Sequence, residues 1–421
     1  LVLYGLYRIY EKDQETLEFA DVLPLVFGVT GIVQSHVLSI EISAEFIALF
    51  ALVMCRKTFK KRRFLMLLLA TGMAVLLNVG VLYVLYSGMK MDVIITSAFA
   101  SYNIQSDALV PAQLFTIFGN AEGLSNNRGT YCDIPFAPGI GIIIGCGAML
   151  WIVINRRKYI SDRNVRNYRC GIIGLCFTLV ALFLSTQLFP WDAIGIGAKM
   201  QKLEKLISII QFPWRYLIIA VICGSFTTIE ALNIISDVLG ERNMNRIGLI
   251  IAVFTLVSAG YFYSNYMYTL KDSGYYSEYN CNSRNIGTQE YLPNCADVST
   301  TDNVNIIYDS GSLEVYDYAY EGKGVTGFNV VNTSTESSIT LPIYYYKGYI
   351  AYDSVSGQNF YIVDNSRKTI TVIIPEGYSG RINVRFKAPV KWRVAEVISF
   401  VSLLGTVGAY ISVYKRKKVS D

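Results

Sequence analysis

The sequence predicts an α-helical polytopic membrane protein, with about seven or eight membrane segments and an exocytoplasmic antiparallel β domain inserted before the last transmembrane helix. Three observations carry this. Mean hydropathy is +0.37, with 52% hydrophobic and 16% charged residues, against roughly 25% charged in an ordinary soluble domain. Apolar runs of about 20 residues, the length a helix needs to cross the hydrocarbon core, recur along the chain. Between residues 267 and 392 the pattern changes to strand-like alternation broken by Gly, Asn, Asp and Ser.

The clear apolar runs cover residues 64–87, 138–155, 170–188, 214–238, 247–266 and 393–413. A further stretch, 22–55, is too long for one upright span. It reads either as one tilted helix or as a short re-entrant piece followed by a span from about Val37 to Cys55. The domains that follow are a membrane domain over 1–266, a β-rich domain over 267–392, a final helix over 393–414 and a basic tail over 415–421.

Lysine and arginine set the orientation, because short loops rich in them stay on the cytoplasmic side. The clusters are "RKTFKKRR" at 56–63, "RRKYISDRNVRNYR" at 156–169, Arg242 with Arg246, and "KRKK" at 415–418. Taking the six clear spans in turn places all of them on one face, read as the plasma-membrane cytoplasmic face, with the C-terminus there and 267–392 outside. The net charge of +5 therefore reflects topology. It gives no support for nucleic-acid binding, since no basic patch interleaved with aromatics occurs on a soluble face.

In the β domain, strands are expected in "NVNIIYD", "SLEVYDYAY", "SITLPIYYYKGYIAY", "NFYIVD", "KTITVIIPEG" and "RINVRFKAP", arranged as a sandwich. Sixteen of the 31 tyrosines fall between residues 268 and 378. They serve either as amphipathic core and rim packing or as a stacking platform for sugar rings. Cys281 and Cys295 lie close together outside and are candidates for a disulfide in an oxidising compartment. One histidine and no paired CxxC argue against a structural zinc site. The sequon at Asn332 matters only in a host that glycosylates. "GIGIIIG" at 139–145 imitates a dinucleotide fingerprint, but it opens a membrane span with no strand before it, so its glycines are read as close helix packing. The chain opens at Leu1 without a methionine, and "LVLYGLY" reads as the tail of something longer.

Two constellations carry candidate chemistry. "QSHVLSIEISAE", residues 34–45, holds the lone His36 and two glutamates in apolar surroundings. Counting back from Arg56 puts His36 roughly 30 Å up a helix, near the outer surface, with Glu41 and Glu45 deeper. On a continuous helix Gln34, Glu41 and Glu45 share a face. Ionisable groups in a span face a cavity, a partner or a transport path, or else are protonated or hydrogen-bonded between helices. The second constellation is "FPWDAIGIGAKMQKLEKLISIIQFPWRYL", 189–217. Ile196, Met200, Leu203, Ile207 and Ile210 recur at helical spacing, as in an interfacial helix, accompanied by Lys199, Lys202 and Lys205. Pro213 suits the first turn of the next span, whose positive end with Arg215 makes a phosphate site, and Asp192 is a nearby proton acceptor. The alternative is that Lys and Arg snorkel to headgroups and the tryptophans form an aromatic belt.

"LYGLYRIYEK", "LPLVFG", "QSHVLS", "QFPWRYL", "QEYLP" and "LPIYYYKGYIAYD", in that order, resemble a group of large bacterial polytopic membrane proteins. That group is similar to GT-C-type glycosyltransferases and includes proteins described as lipoteichoic-acid glycosyltransferase-like or pyruvoyl-tetrahydropterin-synthase-related. The resemblance spans nearly the whole chain. It implies transfer of a sugar from a polyprenyl-phosphate donor to a cell-envelope polymer on the outer face of the plasma membrane, with a divalent metal as an open possibility. It also implies phosphate contacts from Arg215, Lys199, Lys202 and Lys205, an outer cavity lined by His36 and Asp192, and an acceptor held by the Tyr-rich domain. GT-C enzymes carry their catalytic acid in the first outer loop, which this reading places before Leu1, so no numbered residue inherits that role. The stretch between Pro24 and Gln34 also departs from the group by its shortness. A non-catalytic envelope scaffold and a lipid or sugar-lipid transporter remain the alternatives, the latter favoured by Glu41 and Glu45.

Overall fold

The computed structural model describes residues 1–91, 104–116, 136–193, 210, 212–270, 292–293, 306–321 and 324–420. The chain divides into two compact units. One comprises Leu1–Val37, Met54–Ala100 and Tyr279–Asp421; the other comprises Leu38–Val53 and Ser101–Glu278.

The first unit contains helices α1 (Val2–Glu11), α2 (Phe19–Ser35), α4 (Lys61–Met91) and α9 (Val390–Ser420). The second contains α3 (Val37–Val53, apart from its first residue), α5 (Ile140–Ile154), α6 (Val165–Ser185), α7 (Leu217–Leu239) and α8 (Glu241–Leu270). All six clear apolar runs are helices. Among the described residues five stretches are long and apolar enough to cross a membrane: Lys61–Lys90, Val165–Ser185, Pro213–Leu239, Glu241–Ser264 and Val390–Lys415. Phe19–Ser35 and Ile140–Ile154 are apolar but shorter. These helices suit membrane insertion.

The long stretch 22–55 is two helices. His36 adopts an extended backbone, φ −159° and ψ 115°, which ends α2 and lets α3 start at Val37. Gln34 is therefore not on the same helix as Glu41 and Glu45. It belongs instead to α2, where its Nε2 donates to Asn78 Oδ1 of α4 at 3.4 Å.

In the first unit α1, not anticipated as a helix, packs its buried Leu6, Ile9 and Tyr10 inward and lies so close to α2 that a Cβ on Gly5 would overlap Leu25. Asp21, whose side chain is 1% exposed, accepts hydrogen bonds from Arg8 at 2.6 Å, Lys12 at 2.9 Å and the Glu18 amide at 2.9 Å. Arg63, also buried, donates to the carbonyls of Ile9, Lys57 and Lys12 at 2.9, 3.0 and 2.7 Å. Part of the basic cluster at 56–63 is thus structural. It ties α1 and the following turn to the start of α4.

Helices α4 and α9 run antiparallel. Trp392 Nε1 donates to Ser87 Oγ at 2.6 Å, and the Gly80 amide donates to Ser399 Oγ at 2.8 Å. This pairing puts Lys61, at the start of α4, and Lys415, late in α9, toward the same end. The β domain joins at the opposite end, where Phe386 lies 6.0 Å from Trp392 between ring centroids.

That domain is an antiparallel sandwich. Its strands are β1 (Ile307–Tyr308), β2 (Leu313–Glu321), β3 (Gly324–Asn332), β4 (Ser337–Tyr344), β5 (Tyr349–Asp353), β6 (Asn359–Phe360), β7 (Ile362–Asp364), β8 (Thr369–Ile374) and β9 (Ser379–Phe386). One sheet has the order β1-β4-β8-β7 and the other β2-β3-β9-β5-β6. Phe328, Ile339, Leu341, Ile370 and Ile382 fill the space between them. Strand β3 was not expected, because Gly324, Gly327 and its asparagines interrupt the alternation. The sequon Asn332 is 2% exposed, and its amide nitrogen donates to the carbonyls of Thr335, Ile374 and Pro375. It acts as a clamp in the folded domain, with its nitrogen turned away from solvent.

In the second unit two glycines of "GIGIIIG", Gly141 and Gly145, pack helices closely, whereas Gly139 precedes α5 at φ +100° with nothing against it among the described residues. A Cβ on Gly145 of α5 would overlap Thr228 of α7, and one on Gly224 of α7 would overlap Ile142 of α5. Removing side-chain bulk at such points lets the backbones approach, and dispersion then replaces the missing hydrophobic drive between helices in lipid.

Candidate functional site

The site lies in the second unit, where α6 ends and α7 begins. Helix α3 brings two glutamates to it. Glu41 and Glu45 are one turn apart and so occupy one side of the helix. The neighbouring Ile42 and Phe46 are buried in the packing against α6 and α7. The Phe46 ring sits 5.8 Å from Phe177 of α6 and 6.1 Å from Tyr216. These rings fix the rotation of α3, and the rotation decides where the carboxyl groups go. The Tyr216 hydroxyl donates to Glu45 Oε2 at 2.7 Å. Both carboxyl oxygens of Glu41 are enclosed and have no hydrogen-bond partner among the described residues.

The two FPW triplets build the wall around this pair. The first ends α6: Trp191 opens a short 3-10 turn, Trp191–Ala193, and its Nε1 donates to the Leu184 carbonyl at 3.1 Å. Thus held, the indole stacks on Tyr216 at 5.9 Å with 16° between planes and meets Phe189 edge-on at 4.6 Å. The second triplet opens the next span. Pro213 occupies the first turn of the 3-10 helix Pro213–Tyr216, where its missing N–H costs nothing, and α7 follows directly. The expected placement of Pro213 is therefore observed. Phe212 stacks on Trp214 at 5.7 Å, and Phe136 reaches Trp214 at 5.7 Å.

Arg215 folds back over this turn. Its Nη1 donates to the Ile210 carbonyl at 2.8 Å, and the guanidinium lies over the rings of Phe212 and Trp214 at 5.0 and 5.8 Å. Such an arginine keeps its charge while its plane is positioned by the rings. Asp192 accepts the Gln105 amide at 3.1 Å, and Gln105 Nε2 donates to the Gln187 carbonyl at 2.6 Å. Together with the pairing of Leu109 with Thr186, these bonds lay residues 104–116 over the end of α6. Asp192 is thus an anchor for that cover.

The structure consequently joins what the sequence presented as two constellations. Glu41 and Glu45 meet Tyr216 of "QFPWRYL", 171 residues from Glu45 along the chain. His36 is exposed and belongs to the other unit. Lys199, Lys202, Lys205, Cys281 and Cys295 lie outside the described residues. Tyr216 and Trp191 were not singled out, although the repeated FPW triplet was the signal that pointed to them. Among the described residues no group of three or more His, Cys, Asp or Glu side chains is arranged to hold a metal ion. The arrangement provides a hydrogen-bonded carboxylate, a second enclosed carboxyl group, an aromatic wall and one arginine.

Comparison with known protein families, curated proteins and solved structures finds no match for this chain.

Proposed function

We propose that this protein is a membrane glycosyltransferase-like protein that moves a sugar from a polyprenyl-phosphate-linked donor to a cell-envelope acceptor. The observation that carries the reading is the Tyr216–Glu45 hydrogen bond, which sets a carboxylate beside the Trp- and Arg-bearing turn that starts α7. Transfer of this kind breaks the bond between the sugar's anomeric carbon and the phosphate oxygen, and the bonding electrons leave with the phosphate. The acceptor hydroxyl oxygen forms the new bond, and its proton needs a base. Glu45 supplies the base. Arg215 and the positive end of α7 face the charge gathering on the departing phosphate, and the aromatic wall offers apolar faces to sugar rings and prenyl chain.

The topology that suits this reading has seven or eight membrane segments, with the basic ends of α4 and α9 in the cytoplasm and the sandwich outside. A transporter of lipid-linked sugar is the second reading, favoured by the enclosed oxygens of Glu41, because a transport path needs polar groups away from both surfaces.

The test is transfer of radiolabelled hexose from polyprenyl phosphate to envelope polymer in proteoliposomes. Glu45→Gln and Arg215→Ala are each expected to slow transfer about 100-fold or more. Movement of the labelled lipid between leaflets without transfer, lost mainly in Glu41→Gln, selects transport instead. Absence of both activities in correctly folded protein rejects both readings.

A further inference from the structure

We infer that Glu41, with Glu45 one turn further on, holds a single small exchangeable cation, a proton or an alkali-metal ion, inside the helical unit. The site differs from a mere acidic pair in one respect. Both Glu41 oxygens are enclosed and have no donor among the described residues, whereas Glu45 is already engaged by the Tyr216 hydroxyl. Among the described residues the titratable groups that act on Glu41 are Glu45 on the same helix and Tyr216 on the turn before α7. Phe177 and Ala181 of α6 and Ile219 and Ala220 of α7 are among the apolar residues packed in this region.

An ionised carboxylate sealed among such groups without a counter-charge loses its hydration and recovers nothing in return. A second carboxylate nearby adds repulsion. A bound proton or alkali ion removes both penalties and remains able to leave, because among the described residues no arginine or lysine is paired with the group. Glu230 on α7 makes a useful contrast. One of its oxygens is also enclosed without a partner, but its charge is opposed by Arg166 and its side chain is bonded to Asn233.

The inference rests on the Glu41–Glu45–Tyr216 cluster and not on the transferase reading, and its test needs no sugar substrate. Full-length protein in proteoliposomes is treated with dicyclohexylcarbodiimide, which adds to a protonated carboxyl group: one carboxyl oxygen bonds to the carbodiimide carbon and the proton moves to its nitrogen. Mass spectrometry of the peptide covering α3 then reads the modified residue. Label is expected on Glu41 in choline chloride at acidic and neutral pH, with complete loss in Glu41→Gln. If the ion is a proton, replacing choline with sodium or potassium leaves the label unchanged. If it is an alkali ion, one of those salts suppresses the label and choline does not. Wild-type protein alone gives this salt comparison, so a poorly folding variant does not decide the matter. No label on Glu41 in any of these salts overturns the inference, whatever the sugar-transfer assay shows.

Discussion

Two enclosed acids, one in each unit, are treated in opposite ways. Asp21 is surrounded by Arg8, Lys12 and the Glu18 amide, all within 2.9 Å. Glu41 has no partner for either oxygen among the described residues. Burying a charge is costly in both places; fixed groups compensate the first, and among the described residues none compensates the second. Saturated polar groups hold chain segments in place. An unsaturated one invites something that comes and goes. The buried Arg63, with three backbone carbonyls on its guanidinium, stands with Asp21 on the structural side.

The contrast is most easily broken at Arg63. Arg63→Ala leaves the carbonyls of Ile9, Lys57 and Lys12 enclosed without a donor, and a loss of about 3 kcal/mol or more is expected. Thermal unfolding of the detergent-solubilised protein measures it. An unchanged midpoint would mean that saturation at this end contributes nothing to stability.

A third acid extends the comparison into the sandwich. Asp353 accepts from the Tyr378 hydroxyl, from the Ser356 amide and hydroxyl, and from the Val355 amide. These donors, Tyr378 foremost, hold its carboxyl well below the usual carboxylate range, while burial and then the carboxylate itself push the Tyr378 phenol up. Because the folded value is the lower one, the interaction contributes fully above the ordinary carboxylate value of about 4 and fades as the pH falls below it. Protection against hydrogen exchange over β5 to β9, taken relative to the intrinsic amide rate at each pH, is expected to fall on acidification in wild type. The same change should be much flatter in Asp353→Asn.

The smallest effect belongs to Glu41. Glu41→Gln removes no hydrogen-bond partner among the described residues, so the unfolding midpoint is expected to move by less than about 1 kcal/mol equivalent. A loss as large as that of Arg63→Ala would place Glu41 among the structural acids and erase the distinction.

Much of the helical layout was readable because a long apolar helix advertises itself in a contiguous run: α4, α8 and α9 each cover the apolar stretch that announced them, and α6 and α7 cover theirs except for residues 186–188 and 214–216. The break inside 22–55 was visible as one of two options, and only the backbone at His36 selects between them. The sandwich was legible where Val, Ile and Tyr alternate, and illegible at β3, where glycine and asparagine hide the strand until its neighbours β2 and β9 pair with it. The site was legible in its parts and not as a whole. Periodicity reports what lies on one helix face, but it carries no information on which distant turn that face will meet. The Glu45–Tyr216 bond is such a meeting, and so is the spending of Arg62 and Arg63 on backbone carbonyls of the N-terminal segment.

Only residues 387–389 lie between the end of β9 at Phe386 and the start of α9 at Val390, and the Phe386 and Trp392 rings meet alongside them. The sandwich is therefore joined to α9 by a short link, with Ser87 of α4 as a second fixing point through Trp392. A load applied to the sandwich thus reaches the α4–α9 pair through that link and the Trp392–Ser87 hydrogen bond.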